Sequence, residues 1–439
     1  MTDCVEIAIT SDGSEQHWSF CAWDIRTGTQ LMPYRHGGAP GAKTLQIINN
    51  QYVVAGHQAK PLLNIWPINR QEPVNVRYLL PASPRAVAVS PDGNFCIVAH
   101  AHSFNIYNLA TGANMVTVSH HYGNITALKF TDDGSHFVSA AHDCRVVVWS
   151  LAKTLLQKDN KMLYEFADYT LPVSDIYVGK GGMKALLAAA SLDRSCKIYD
   201  LASGKMVLNV VFPVALSVLT INGLETELFV GDKKGFIFTC NLQSAPRSKE
   251  IHLHQGLLLD NTLKGHQKAV TCLSMSMDNE TLLSGGEDDV VIVWHVKTRQ
   301  QLKVIPHKGP ITNAFFLITP KLMFDQSVAL HVPFPMFHKT TSSRVDREML
   351  SMDYTVKKRA LRDRPETETV EITVSGKVAG KANEVSETQR LEKVVHKLKT
   401  INRDLYQQSI RFMMADENGL TLNFFISNPT RVFTTSPLN

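Results

Sequence analysis

Aromatic residues recur along this chain at an interval that no single helix or strand could produce. Trp23, Trp66, Tyr107, Trp149 and Tyr199 each close a short apolar run and lie 43, 41, 42 and 50 residues apart. Trp294 follows after 95 residues, a gap that holds one more worn unit ending near 237–242. The best preserved unit spans 265–296. Apolar runs at 269–273, around Leu282 and at 290–296 are separated there by Asp, Asn or Gly, the punctuation of strand, turn, strand.

A unit that opens on Gly265-His266 and closes on Trp294, with a period of about 40–45 residues, has the signature of one WD40 propeller blade. Six recognisable units and one worn unit predict an all-β, seven-bladed WD40 β-propeller over residues 1–320. Its turns carry suitable residues, such as Pro91-Asp92-Gly93 and Asp132-Asp133-Gly134, where glycine accepts the left-handed region. Between 152 and 169 the pattern relaxes into a longer connection, which accounts for the 50-residue gap. Gly179-Lys180-Gly181-Gly182 lacks the spacing of a phosphate-binding loop and reads as a strand–strand turn. Residues 309–316 look like the first strand of a blade that never completes. A propeller has to close to remove its exposed edges, so this strand is expected beside the N-terminal blade.

Two units share a polar set at identical offsets: His121, Ser139, Asp143 and Trp149 in one, His266, Ser284, Asp288 and Trp294 in the other. Serine, histidine and aspartate together suggest a nucleophilic triad, but a triad is defined by geometry and not by residue type. The set occurs twice, follows the blade period and includes a Trp each time. A buried hydrogen-bond network tying the strands of a blade together explains all three facts. No catalytic, cofactor-binding or metal-ligating set stands out beside it.

Composition fits a globular chain: 439 residues, 44% apolar and 19% charged. The seven cysteines are scattered with no CxxC pair and read as reduced thiols in strand runs. The N-terminus has no signal-peptide pattern and no apolar run approaches membrane-spanning length, so an intracellular, soluble protein is expected. The net charge is +5, of which the residues after 320 hold +4. A near-neutral propeller gives no sign of a strongly basic nucleic-acid clamp.

After 320 the repeats stop. Residues 321–383 read as an irregular basic linker, with Lys357, Lys358, Arg359, Arg362 and Arg364 clustered within it. Such a cluster suits a nuclear import signal, a nucleic-acid contact or a merely solvated linker. Over 384–414 the period changes: Leu391, Val394, Leu398, Ile401 and Leu405 step by three and four. That spacing predicts an amphipathic heptad helix, a coiled-coil candidate that needs a packing partner to be stable. Residues 415–439 form a tail without clear pattern.

Several stretches together carry a resemblance: His120-His121-Tyr122, 135–139, 264–274, 308–314, and in the helix Ile401-Asn402-Arg403-Asp404-Leu405 followed by Arg411-Phe412. In these the chain resembles the Ipi-type propeller subunits of the Rix ribosome-assembly complex and their animal counterparts, over roughly residues 1–414. The resemblance implies a non-enzymatic scaffold in large-subunit ribosome biogenesis, acting in pre-rRNA spacer processing and late pre-ribosome maturation. It implies residence in the nucleus, both nucleolus and nucleoplasm. It implies PELP-type and TEX-type scaffold proteins, the midasin AAA ATPase and the pre-large-subunit particle as partners, with dimerisation through the C-terminal helix. Residues 338–383 and 415–439 depart from the family pattern. The residues alone leave a second reading open, an RNA- or peptide-reading WD40 adaptor in another nuclear complex. An RNA-reading pocket needs clustered Arg, Lys and aromatic residues on the loops.

Overall fold

The structure, a computed structural model, describes residues 6–14, 16, 18–156, 162–243, 249–253, 262–325 and 335–337. The chain divides into two units, Met1–Asp353 and Tyr354–Asn439. All described residues belong to the first. The predicted helix with Leu391, Val394, Leu398, Ile401 and Leu405, and the basic cluster at Lys357, Lys358, Arg359, Arg362 and Arg364, lie outside the described residues.

Seven sheets follow one another along the first unit, each built on four antiparallel strands. In the seventh, Val270–Met275, Thr281–Gly286, Val290–His295 and Gln300–Pro306 are laid side by side in chain order. The first sheet departs from chain order: its innermost strand is Ile311–Ile318, paired antiparallel to Glu6–Asp12 with Ile311 opposite Asp12 and Ile318 opposite Glu6. The expected pairing of the final strand with the N-terminal blade is what closes the ring.

The aromatics at these intervals end the third strand of every blade but the sixth, and a fourth strand lies beyond them. The sequence reading left these outer strands out. They are short, as in Tyr78–Leu79 and Tyr164–Phe166, or exposed along almost their whole length, as in Gln300–Pro306. An outer strand buries too little for a hydrophobic pattern to mark it. The 152–169 connection contains Tyr164–Phe166, the fourth strand of blade four, after a one-turn helix at Leu151–Leu156. On blade five the outer strand Lys205–Val211 gains a fifth, parallel neighbour, Glu250–His252, from the long connection in blade six.

The hydrophobic core is divided into seven clusters, one at each interface between successive blades. The seam cluster between blades seven and one joins Val291, Val293 and Ile305 to Ala8, Cys21 and Trp23. Packing also continues past residue 320. Met323 is fully buried in the cluster between blades one and two. Phe337 inserts between blades two and three, stacked on Tyr107 at 4.5 Å and edge-on to Tyr78 at 5.1 Å.

A hydroxyl latch joins neighbouring blades. In five innermost strands the second residue is Ser or Thr: Thr126, Ser174, Ser217, Thr271 and Thr312. Each sits where the pairing register shifts, so the bulge frees its side chain from ordinary pairing. Thr126 Oγ1 donates to Ala140 O of its own blade or to Val173 O of the next, at 3.1 and 2.8 Å. Ser217 Oγ stands between Gly231 O and Val270 O, and Thr271 Oγ1 between Gly285 O and Ile311 O, in the same way.

Candidate functional site

The two polar sets assemble as spacing suggested. In blade four, His121 Nε2 lies 2.7 Å from Ser139 Oγ, His121 Nδ1 lies 2.9 Å from Asp143 Oδ2, and Trp149 Nε1 donates to Ser139 Oγ at 2.9 Å. In blade seven, His266 Nε2 to Ser284 Oγ is 2.7 Å, His266 Nδ1 to Asp288 Oδ1 is 3.0 Å, and Trp294 Nε1 donates to Ser284 Oγ at 2.7 Å. Both serines are fully buried. Burial pushes the Asp143 carboxyl up, but His121 and the backbone amides of Tyr122 and Arg145 outweigh it and hold it below its usual range. Each serine oxygen is shared by an indole and an imidazole inside a sheet. The arrangement fixes register between strands and offers no approach for a substrate.

A third network was hidden from the sequence. In blade one Trp23 Nε1 donates to Thr10 Oγ1 at 2.8 Å, and His307 Nε2 lies 2.8 Å from the same oxygen. Thr10 faces Cys21, two residues before Trp23, as Ser139 faces Val147, two before Trp149. A longer hairpin moved Thr10 to thirteen residues before its Trp instead of ten, and a Thr stood for the Ser. His307 comes from the other end of the chain. Its signal was readable: it precedes the closing strand at Ile311 by four residues, as His266 precedes Val270 and His121 precedes Ile125. Blade five carries an altered set. Tyr169 stands at the histidine position, Ala189 at the serine position and Tyr199 at the tryptophan position, and Asp193 Oδ2 accepts from the Thr170 amide at 3.1 Å.

The innermost strands enclose a central cavity of about 460 Å³. Third and fifth residues of these strands line it, among them Asp175, Asn313, Lys129 and Tyr177. Lys43 Nζ reaches Asp175 Oδ1 at 2.6 Å and donates to Ser174 O, which links blades two and five across the ring. Asn313 Nδ2 donates to Ser11 Oγ or Gly41 O, both at 2.9 Å, holding the closing strand to blade one and the entry to blade two. Sequence reading passed over Lys129. Its signal was a lysine inside the apolar run Ala127-Leu128-Lys129-Phe130.

At the opposite end of blade four from its first turn, Tyr122 is 83% exposed, with the Arg145 guanidinium 5.4 Å over its ring and Glu165 paired to Arg145. Exposed aromatic and arginine side chains held in place are the groups that dominate protein interfaces. Among the described residues no group of three or more His, Cys, Asp and Glu side chains is placed to hold a metal ion. No helix there is long and apolar enough to cross a membrane.

Comparison with known proteins agrees with the blade assignment. The family model described as WD domain, G-beta repeat matches residues 112–150 and 259–295, which hold the two complete networks. The chain is 31% identical to WD repeat-containing protein 18 of Homo sapiens over 93% of its own length and 98% of that protein. It is 34% identical to the Rattus norvegicus protein of the same name over 76% of this chain and 78% of the relative. It is 24% identical to pre-rRNA-processing protein pro-1 of Caenorhabditis elegans over 72% of this chain and 62% of the relative.

Proposed function

Since the chain belongs to the family of WD repeat-containing protein 18, we propose that it is a non-enzymatic scaffold subunit in large ribosomal subunit biogenesis, acting in the nucleus on pre-rRNA processing. One observation carries the reading: the match to the human relative spans nearly the whole of both chains, the residues beyond the propeller included, and a more distant relative bears the name of a pre-rRNA-processing protein. The structure supports the non-enzymatic part, because the two repeated Ser–His–Asp sets are consumed inside blades. What the propeller offers instead is surface. In this reading PELP-type and TEX-type scaffolds, midasin and the pre-large-subunit particle are the partners, the basic cluster assists nuclear entry, and the heptad residues from Leu391 to Leu405 join the chain to another helix or a second copy.

The test is depletion of the protein with complementation by the full chain or by a chain ending at Asp353. Spacer-containing pre-rRNA should accumulate on depletion and clear on rescue by the full chain. Normal spacer processing in depleted cells would reject the assignment. A shortened chain that rescues would take the assembly role away from the heptad segment.

A further inference from the structure

The central cavity holds a charge that closing the ring does not require. It opens where the turns between first and second strands lie, since Lys180, Gly223 and Met277 of those turns line it. Asp175 is the one carboxylate among the lining residues. It is already committed, with Oδ1 on the Lys43 ammonium at 2.6 Å and Oδ2 accepting from the Leu219 amide at 3.2 Å. Lys129 lines the same space, and no carboxylate lies within 4.0 Å of its ammonium among the described residues. Its side chain is exposed to the water of the channel. Burial pushes the Lys129 ammonium below its ordinary value, with Asp175 opposing and Lys43 adding to the shift. Around the mouth, Leu224 and Met277 are 71% and 60% exposed, an apolar collar above a cationic throat.

We propose that this mouth binds an acidic segment of a protein partner, one Asp or Glu side chain entering to pair with Lys129 while apolar neighbours rest on Leu224 and Met277. Charge complementarity selects the occupant. The throat has a free positive charge and no free negative one, and the collar is apolar. A nucleic-acid backbone needs a broad basic surround, and Lys180 is the one basic residue that the turns bring to the cavity lining. The proposal rests on the propeller being an interaction module and deepens it by naming the partner's chemistry.

Random short peptides displayed on phage are selected on the immobilised full chain and, in parallel, on its Lys129→Met, Lys129→Arg and Leu224→Ser/Met277→Ser variants. The selected peptides are then titrated by fluorescence anisotropy, with inorganic phosphate as competitor. Peptides with one recurring Asp or Glu beside apolar residues are expected. Replacing that acid by its amide, or Lys129 by Met, should weaken binding about tenfold or more. Lys129→Arg should retain most of the affinity, and unchanged melting of Lys129→Met would separate lost binding from lost fold. Selection without a recurring acid, binding indifferent to Lys129→Met, or no selection at all would overturn the proposal. So would phosphate binding the throat where no peptide does, which would make it a free-anion site. None of these readouts involves pre-rRNA, so this proposal and the ribosome-assembly reading fail separately.

Discussion

Thr10→Val is the sharpest perturbation of the closed ring. Valine matches threonine in shape, so no cavity opens, and what is removed is one oxygen. That oxygen receives the Trp23 indole N–H at 2.8 Å and contacts His307 Nε2 at 2.8 Å, in a site where Thr10 is fully buried and Trp23 is 8% exposed. Each buried group left without a partner costs about 1–3 kcal/mol, so the substitution should destabilise by roughly 2–5 kcal/mol. For a domain of this size a kcal/mol moves the melting temperature by about 2 °C, which predicts a fall of roughly 4–10 °C. Thermal unfolding followed by circular dichroism measures it. A double-mutant cycle with His307→Leu then asks whether the loss is shared across the seam. Coupling of about 0.5–3 kcal/mol is expected for groups in one network. A melting temperature within about 1 °C of the parent, or strict additivity in the cycle, would refute the network and with it the role of His307 in closing the ring.

Three further outcomes follow from packing, backbone and charge. A chain ending at Pro320 should melt below one ending at Asp353, because it lacks Met323 and Phe337; Phe337→Ala in the full chain should by itself cost about 3–5 kcal/mol, and equal melting of all three would return those residues to the linker. Glu225 holds a left-handed φ of 56°, so Glu225→Gly should stabilise by about 1 kcal/mol in chemical denaturation, whereas a loss would mean that its carboxylate matters more than its backbone. Burial pushes the His100 and His307 imidazoles below their ordinary value of 6.5. The unfolded chain therefore binds more protons as pH falls below about 6.5, and stability falls with it; Glu225 and Asp232, pushed up by burial, act in the opposite sense. The urea midpoint should drop from neutral to mildly acidic pH, and less so in His100→Asn. An identical drop in that variant would sink the assignment to His100.

The parts of the fold legible in the sequence were those that one strand buries on both faces. Third strands such as Val146–Ser150 are buried throughout, so their apolar runs and closing aromatics stand out. Outer strands have one paired edge and one wet one, and Gln300–Pro306 buries only Ile305, which leaves no alternation to read. The networks at Trp149 and Trp294 were legible because hairpins of equal length keep the offsets equal. In blade one the same network was lost when the hairpin lengthened and when its histidine came from residue 307. Channel residues were illegible for a different reason. Lys129 and Asp175 look like interruptions of separate strands in one dimension, and only closure of the ring brings them to one cavity.

The complete networks are not distributed evenly, and the seam explains part of their placement. The pairing that closes the ring, Ile311–Ile318 against Glu6–Asp12, joins strands about three hundred residues apart in the chain, with no short connection to enforce its register. A strand that slips by one residue turns every side chain to the opposite face. Apolar contacts resist such a slip only weakly, because Ile7, Ile9, Phe315 and Leu317 would still find apolar surroundings in a neighbouring cluster. A hydrogen-bonded set does not tolerate the slip, since moving Thr10 away from Trp23 and His307 strands three buried polar groups together. Blade seven repeats the device with Ser284, Asn313 donates to Ser11 across the closing pair, and Thr271 donates to Ile311 from blade seven. Blades two, three and six, bounded by neighbours in chain order, do without the full set. On this argument the seam should be more sensitive to loss of one hydroxyl than an interior interface, and Thr10→Val should lower the melting temperature more than Thr126→Val, whose latch joins blades four and five.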